Sequence, residues 1–167
     1  MIVSFTGHRP DKLGGYKQSP IKDYISVELE NVLKELKPDG CISGMAIGFD
    51  QMAALICIKL GIPFEAAIPF LGQEKRWPFE SQNEYNSILD KAVKKTIVCE
   101  GGYSAQKMQI RNEYMVDNSD IVVCCWDGST GGTKNCIDYA KKINKRIIRI
   151  DPNAYVSVVQ LDRTDLS

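Results

Sequence analysis

Short apolar runs and amphipathic stretches alternate along the chain from its first residues onward. Residues 2–5 are strand-like and stop at the polar, Gly-containing segment 6–10. Ser19 offers an N-cap and Pro20 a first helical position. Ile21, Tyr24, Ile25, Leu29, Val32, Leu33 and Leu36 then recur at helical spacing, which predicts a helix with one buried face, ended by Pro38, Asp39 and Gly40. Residues 41–43 read as a short second strand, and Gly44 to Gly48 as a turn. From Asp50 a helix carries Met52, Ala53, Leu55, Ile56 and Ile58 as far as Gly61, which is placed to terminate it. Further strands are expected at 64–68, 96–99, 121–125 and 146–150, and further helices at 79–93, 108–116 and 133–143.

Strands that are apolar on both faces and alternate with helices imply a mainly parallel sheet covered by helices. Right-handed crossovers then lead to a Rossmann-like, doubly wound α/β fold with helices on both faces. Residues 1–152 read as one domain, and 153–167 as a C-terminal tail of weak periodicity.

Charge narrows the partners. The 21 Lys+Arg balance the 21 Asp+Glu, which argues against broad nucleic-acid binding or adhesion to a membrane surface. No apolar run reaches the ~18–20 residues of a membrane span, and the N-terminus reads as a strand rather than a signal peptide, so the expected location is the cytoplasm. Cys41, Cys57, Cys99, Cys124, Cys125 and Cys136 lie mostly inside apolar segments, without a C-x-x-C pair. With one histidine in the chain, these are expected to be reduced thiols packed as small hydrophobes, with no metal site and no cofactor.

Every strand of such a sheet delivers its carboxyl end to one common edge, where ligands bind near the switch in strand order. The loops to weigh are therefore 6–10, 44–50, 69–77, 101–111 and 126–133. Glycines beside a helix start let backbone N–H groups approach an anion that the helix dipole favours. Gly44–Gly48 and Gly128–Gly132 both have this form, and two such loops on one edge suggest phosphate rather than merely tight turns. Neither is a G-x-G-x-x-G fingerprint or a Walker A loop. His8 either caps its loop or touches a phosphate or base. Trp77 and Trp126 follow strands, so each is either core or a platform for a purine. Gln73 and Tyr103 are further candidates for base or ribose contacts. The lysine clusters at 91–95 and 141–146 read as solvated helix ends.

The string Ser43-Gly44-Met45-Ala46-Ile47-Gly48-Phe49-Asp50 resembles the S-G-x-A-x-G-x-D signature of DNA-processing protein A. Arg111-Asn112, then Ser119-Asp120, an apolar strand and Ser129 to Thr133 resemble the later blocks of that family. Thr6-Gly7-His8-Arg9-Pro10, with Lys12-Leu13-Gly14 behind it, is closer to the YpsA-like family. Both belong to the SLOG superfamily of Rossmann-like domains, as do the Lonely Guy phosphoribohydrolases.

The resemblance implies a pocket for a nucleotide or nucleotide-derived molecule, such as an ADP-ribose-like compound. Carried over by motif, Thr6, Gly7, Arg9, Ser43, Gly44, Gly48, Asp50, Arg111, Asn112, Gly131, Gly132 and Thr133 would line it. Asp50 would accept from ribose hydroxyls or act as a helix N-cap. The resemblance also makes a homodimer plausible. The Lonely Guy block P-G-G-x-G-T-x-x-E ends in a catalytic glutamate, and Cys136 stands in its place here. The expectation is therefore a sensing or sequestering protein with no catalytic residue assigned. A phosphoribohydrolase-like N-glycosidase is the alternative, and a single-stranded DNA or protein adaptor the third reading.

Overall fold

In the computed structural model, which describes residues 1–155, Val3 and Phe5 face one side of the first strand and Ser4 the other. That alternation runs through the sheet and divides the interior in two. The elements follow in the order β1 (Ile2–Gly7), α1 (Pro20–Leu36), β2 (Gly40–Ser43), α2 (Phe49–Leu60), β3 (Phe64–Ile68), α3 (Phe79–Leu89), β4 (Lys94–Ile97), α4 (Ala105–Asp117), β5 (Ile121–Cys125), α5 (Gly132–Lys142) and β6 (Arg146–Ile150). A 3₁₀ turn at Pro10–Lys12 lies between β1 and α1.

The strands are ordered β4-β3-β2-β1-β5-β6, and each pairing is parallel. This is the expected Rossmann-like α/β architecture. Ile25, Leu29 and Leu33 of α1, Ala53 and Cys57 of α2, and Tyr85 and Ile88 of α3 pack with Val3, Phe5, Phe64 and Val123 into the larger core. On the other face, Met115 and Val116 of α4 and Cys136 and Ala140 of α5 cover Ile42, Ala67 and Val122.

The first helix starts as its sequence dictates. Ser19 is extended, its hydroxyl accepts from the Lys22 amide, and Pro20 sits where no amide donor is needed. Lys37 closes the helix in the left-handed conformation, just ahead of Pro38. Gly61 (φ 71°) caps α2 in the same conformation.

Several boundaries differ from the sequence expectation: β1 runs on through Thr6 and Gly7, which pair with Cys124 and Cys125, and larger shifts occur around β4 and α4. The helix expected over 79–93 ends at Leu89, because the Val93 amide is already bonded to the Phe64 carbonyl beside β3. The strand expected at 96–99 is therefore advanced to Lys94–Ile97, although Val98 and Cys99 still donate to Ile68 and Pro69. Helix α4 begins at Ala105 rather than 108, through Gln106 and Lys107, polar positions that give no apolar period. Most of the expected C-terminal tail, residues 156–167, lies outside the described residues. Of the cysteines, Cys99 is half-buried and the other five are buried, all as free thiols.

Candidate functional site

The chain leaves β4, passes through α4 and re-enters the sheet as β5 on the far side of β1, so the strand order switches beside β1. At that point the loops after β1, β3, β4 and β5 enclose a cleft of about 830 Å³. Thr6, Gly7, His8, Arg9, Asp50, Trp77, Arg111, Asn112, Gly131, Gly132 and Thr133 all line it. Four other candidates do not. Ser43, Gly44 and Gly48 form the turn beneath the floor, and Trp126 is turned toward α5 and β6.

The floor is built around the Gly44 backbone. Arg111, on the inward face of α4 and 2% exposed, donates from Nη1 to the carbonyls of Gly44 (2.5 Å) and Ala67 (3.3 Å). Its Nε donates to Asn112 Oδ1 at 3.0 Å. None of the ion pairs among the described residues includes Arg111. Its positive charge is met by dipoles rather than by a carboxylate in contact. A Cβ on Gly44 would lie 2.6 Å from Arg111 Nη1 and 2.9 Å from Asp50 Oδ2, so glycine is required for the two charged groups to flank this turn.

Beside it, Met45 adopts a left-handed backbone (φ 62°) that a side chain of its size seldom takes. The Ser43 hydroxyl accepts from the Met45 amide (3.2 Å), and Gln51 Nε2 donates to the Met45 carbonyl (3.1 Å), fixing that conformation. Ser43 Oγ in turn donates to the Asp50 carbonyl (2.8 Å). The motif serine thus holds the turn together.

Asp50 lies in the first turn of α2, whose N-cap is Gly48. Burial pushes the Asp50 carboxyl up, against the pull of Arg111 and Arg9. Gly48 (φ 107°) is pressed against the His8 carbonyl, which a Cβ would approach to 2.5 Å. A Cβ on Gly7 would fall 2.4 Å from the Phe49 ring. The end of β1 and the start of α2 are locked together by these two glycines.

The opposite rim is the loop into α5. Asp127 Oδ1 accepts from the Ser129 amide (2.9 Å) and hydroxyl (2.5 Å), and Lys12 reaches Asp127 Oδ2 (3.3 Å) and the Ser129 hydroxyl. These donors hold the Asp127 carboxyl well below the usual carboxylate range. His8, 6% exposed, accepts the Asp127 amide at Nε2 (2.9 Å). The same nitrogen lies 2.9 Å from Asp127 Oδ1, but burial, the largest influence on His8, lowers its pKa. The imidazole is therefore read as neutral, an acceptor at Nε2. It caps the loop from the wall of the cleft.

Beyond this latch Gly131 and Gly132 are exposed, α5 begins with no side-chain cap, and its first turn holds no acidic residue. Its leading amides open on the cleft beside Thr133 and Lys134, which also line it. Arg9, Lys12, Lys75, Arg76, Arg111 and Lys134 contribute six positive charges to the lining, against Asp11 and Asp50. In a chain of zero net charge this concentrates positive potential in one place.

Trp126 donates from Nε1 to the Ser129 carbonyl (2.8 Å), and its ring is covered by Arg149 (5.0 Å) and approached by Lys141 (6.0 Å). It braces the loop from behind and offers no platform to a ligand. Trp77 does line the cleft, edge-to-face with Tyr85 at 5.3 Å. Cys136 faces inward from α5 at 1% exposure, its thiol pushed up to about 12, and lines no part of the cleft. Several of the clustered lysines have partners elsewhere: Lys94 with Glu65, Lys145 with the Ser119 carbonyl, and Lys141 with Trp126.

The Lys12–Asp127–Ser129 latch was not foreseen, because Lys12 lies more than a hundred positions from its two partners. Lys134 could have been found from its place directly after Gly-Gly-Thr. Among the described residues no helix is long and apolar enough to cross a membrane, and no cluster of His, Cys, Asp and Glu could hold a metal ion.

A family model described as the YspA SLOG family matches residues 3–155. The uncharacterized SPbeta prophage-derived protein YoqJ of Bacillus subtilis (strain 168) is 33% identical over 152 residues, covering 80% of this chain and 88% of YoqJ. DNA processing protein A from Helicobacter pylori, described for its single-stranded DNA binding mode, superposes with a TM-score of 0.63 at 16% identity. That match covers 89% of this chain and 64% of the other, so the chain spans slightly under two thirds of that protein. The molybdenum cofactor binding protein from Rippkaea orientalis superposes with a TM-score of 0.56 at 16% identity, over 98% of this chain and 84% of its own. At such identities the two structures share the fold.

Proposed function

Since this chain belongs to the YspA SLOG family, we propose that it binds a nucleotide or nucleotide-derived small molecule in the cleft and holds it without turnover. One observation carries this reading: the exposed, uncapped N-terminus of α5 opens into a cleft lined by six Lys and Arg and two Asp, in a chain of zero net charge. An anion placed there meets free amides, a favourable helix dipole and cationic side chains at the rim. Arg111 adds its charge from the floor.

Binding is preferred to hydrolysis on chemical grounds. Cleaving an N-glycosidic bond requires a carboxylate to stabilise an oxocarbenium-like state or to position water. At the motif position the chain carries Cys136, sealed beneath the sheet. Asp127 is saturated by Ser129 and Lys12. Asp11 and Asp50 are the carboxyl groups that line the cleft, and a hydrolase reading would have to employ one of them.

The test is a thermal-shift panel of AMP, ADP, ATP, NAD, ADP-ribose, cyclic nucleotides and a short single-stranded oligonucleotide, with mass spectrometry of the same samples. A ligand at a hundredfold excess over its Kd stabilises the fold by about 2.7 kcal/mol. A shift with unchanged ligand is the expected result. Release of free base and sugar phosphate would replace binding with hydrolysis, and a shift confined to the oligonucleotide would favour the DNA reading.

A further inference from the structure

The β3–α3 loop carries a buried polar group that the protein leaves half satisfied. Gln73 is 6% exposed and lines the cleft. Its Nε2 lies 3.2 Å from the Gly44 carbonyl and 3.4 Å from the Tyr85 hydroxyl. A carbonyl only accepts, so the amide cannot be turned over, and Nε2 must face Gly44. The other corner, Oε1, is buried with no hydrogen-bond partner. An acceptor in that condition costs free energy unless a donor arrives.

Its surroundings define what would arrive. Phe70, Leu71, Trp77, Tyr103 and Met108 line the same end of the cleft, and Phe70 meets Tyr103 edge-to-face at 6.1 Å. The anion-binding rim follows β5, whereas Gln73 follows β3. With β2 and β1 between them, three strand spacings separate the two ends by about 14 Å. Lys75 and Arg76 share the β3–α3 loop with Gln73, so cations line both ends, but the aromatic side chains and the unpartnered acceptor gather at the Gln73 end.

We infer that Gln73 is a specificity-determining residue that accepts a hydrogen bond from the base of a bound nucleotide. The cleft thereby selects bases carrying an exocyclic amine over their oxo counterparts, while the phosphates lie at the start of α5. This rests on the nucleotide-binding reading above. An amine supplies the missing donor, whereas an oxo group sets a second lone pair against Oε1.

The experiment is calorimetric titration of the full chain with matched pairs: ADP against IDP, NAD against nicotinamide hypoxanthine dinucleotide, and CDP against UDP. Inorganic pyrophosphate serves as the probe of the anion end alone. The amine member of at least one pair is expected to bind about tenfold tighter, the usual scale for one buried unpaired acceptor. In Gln73→Met, melted beforehand to establish folding, that preference should fall to within about twofold, with pyrophosphate binding unchanged. The wild-type comparison stands by itself if the variant does not fold. Equal affinity within every pair overturns the inference and leaves nucleotide binding intact. So does an amine preference that survives in Gln73→Met, or a Gln73-dependent preference that follows the sugar hydroxyl in 2′-deoxy analogues. Binding of neither nucleotide nor pyrophosphate overturns both readings.

Discussion

At the scale of single residues, the floor of the cleft tolerates little change. Gly44→Ala forces a methyl group against Arg111 and Asp50. It is expected to cost about 1–3 kcal/mol in denaturant melts and to weaken nucleotide binding through a displaced guanidinium. His8 makes stability depend on pH. Its pKa is lowered by burial, so below about pH 6.5 the unfolded chain takes up a proton that the folded one refuses. Stability is fully present above the unfolded pKa and is lost as pH falls from there toward the folded value. Thermal melts between pH 7.5 and 5 should show this decline, and His8→Gln should flatten it. These residues were legible to different degrees. Arg111, Asp50 and the glycines followed from their motifs, although Arg111 serves the floor as much as any ligand. His8 and Trp126 were placed in the right loops without their partners, because Asp127 and Arg149 are brought to them only by the fold.

At the scale of elements, α5 separates what holds the protein together from what it binds. Gly132 has no atom within 4 Å of an added Cβ and lies in the first turn. Gly132→Asp puts a carboxylate on the favourable end of the helix dipole, so stability should hold or rise by about 0.3–1 kcal/mol. The same charge should lower nucleotide affinity at least tenfold, a split readable by pairing thermal melts with titration. The inward face of α5 gives the opposite result. Cys136→Glu restores a motif carboxylate in sequence but buries it among Val116, Val122 and Ala140. It is expected to cost at least about 3 kcal/mol and to yield no base-releasing activity by mass spectrometry. The strands and helices were readable because apolar period, caps and glycine stops agree, as at Ser19, Pro20 and Gly61. Two of the misplaced boundaries fall around β4, where pairing with β3 overrode the helical spacing of Leu89, Ala92 and Val93, and a third is the start of α4, hidden by its polar first residues.

At the scale of the whole molecule, balanced composition conceals a polarised charge distribution. Raising ionic strength from about 0.05 to 0.3 M should weaken nucleotide binding several-fold, since much of the attraction comes from exposed rim cations. Isothermal titration across that range would test it, and a flat response would locate the attraction in the buried floor instead. The strand order has a further consequence for synthesis. During translation β1 to β4 emerge well before β5, yet β1 must pair with both β2 and β5. Until Ile121–Cys125 clears the ribosome, β1 is a bare sheet edge with unpaired amides and carbonyls. A pause in elongation within α4 would prolong that interval, making it the stage at which nascent chains are most exposed to aggregation and to chaperone capture.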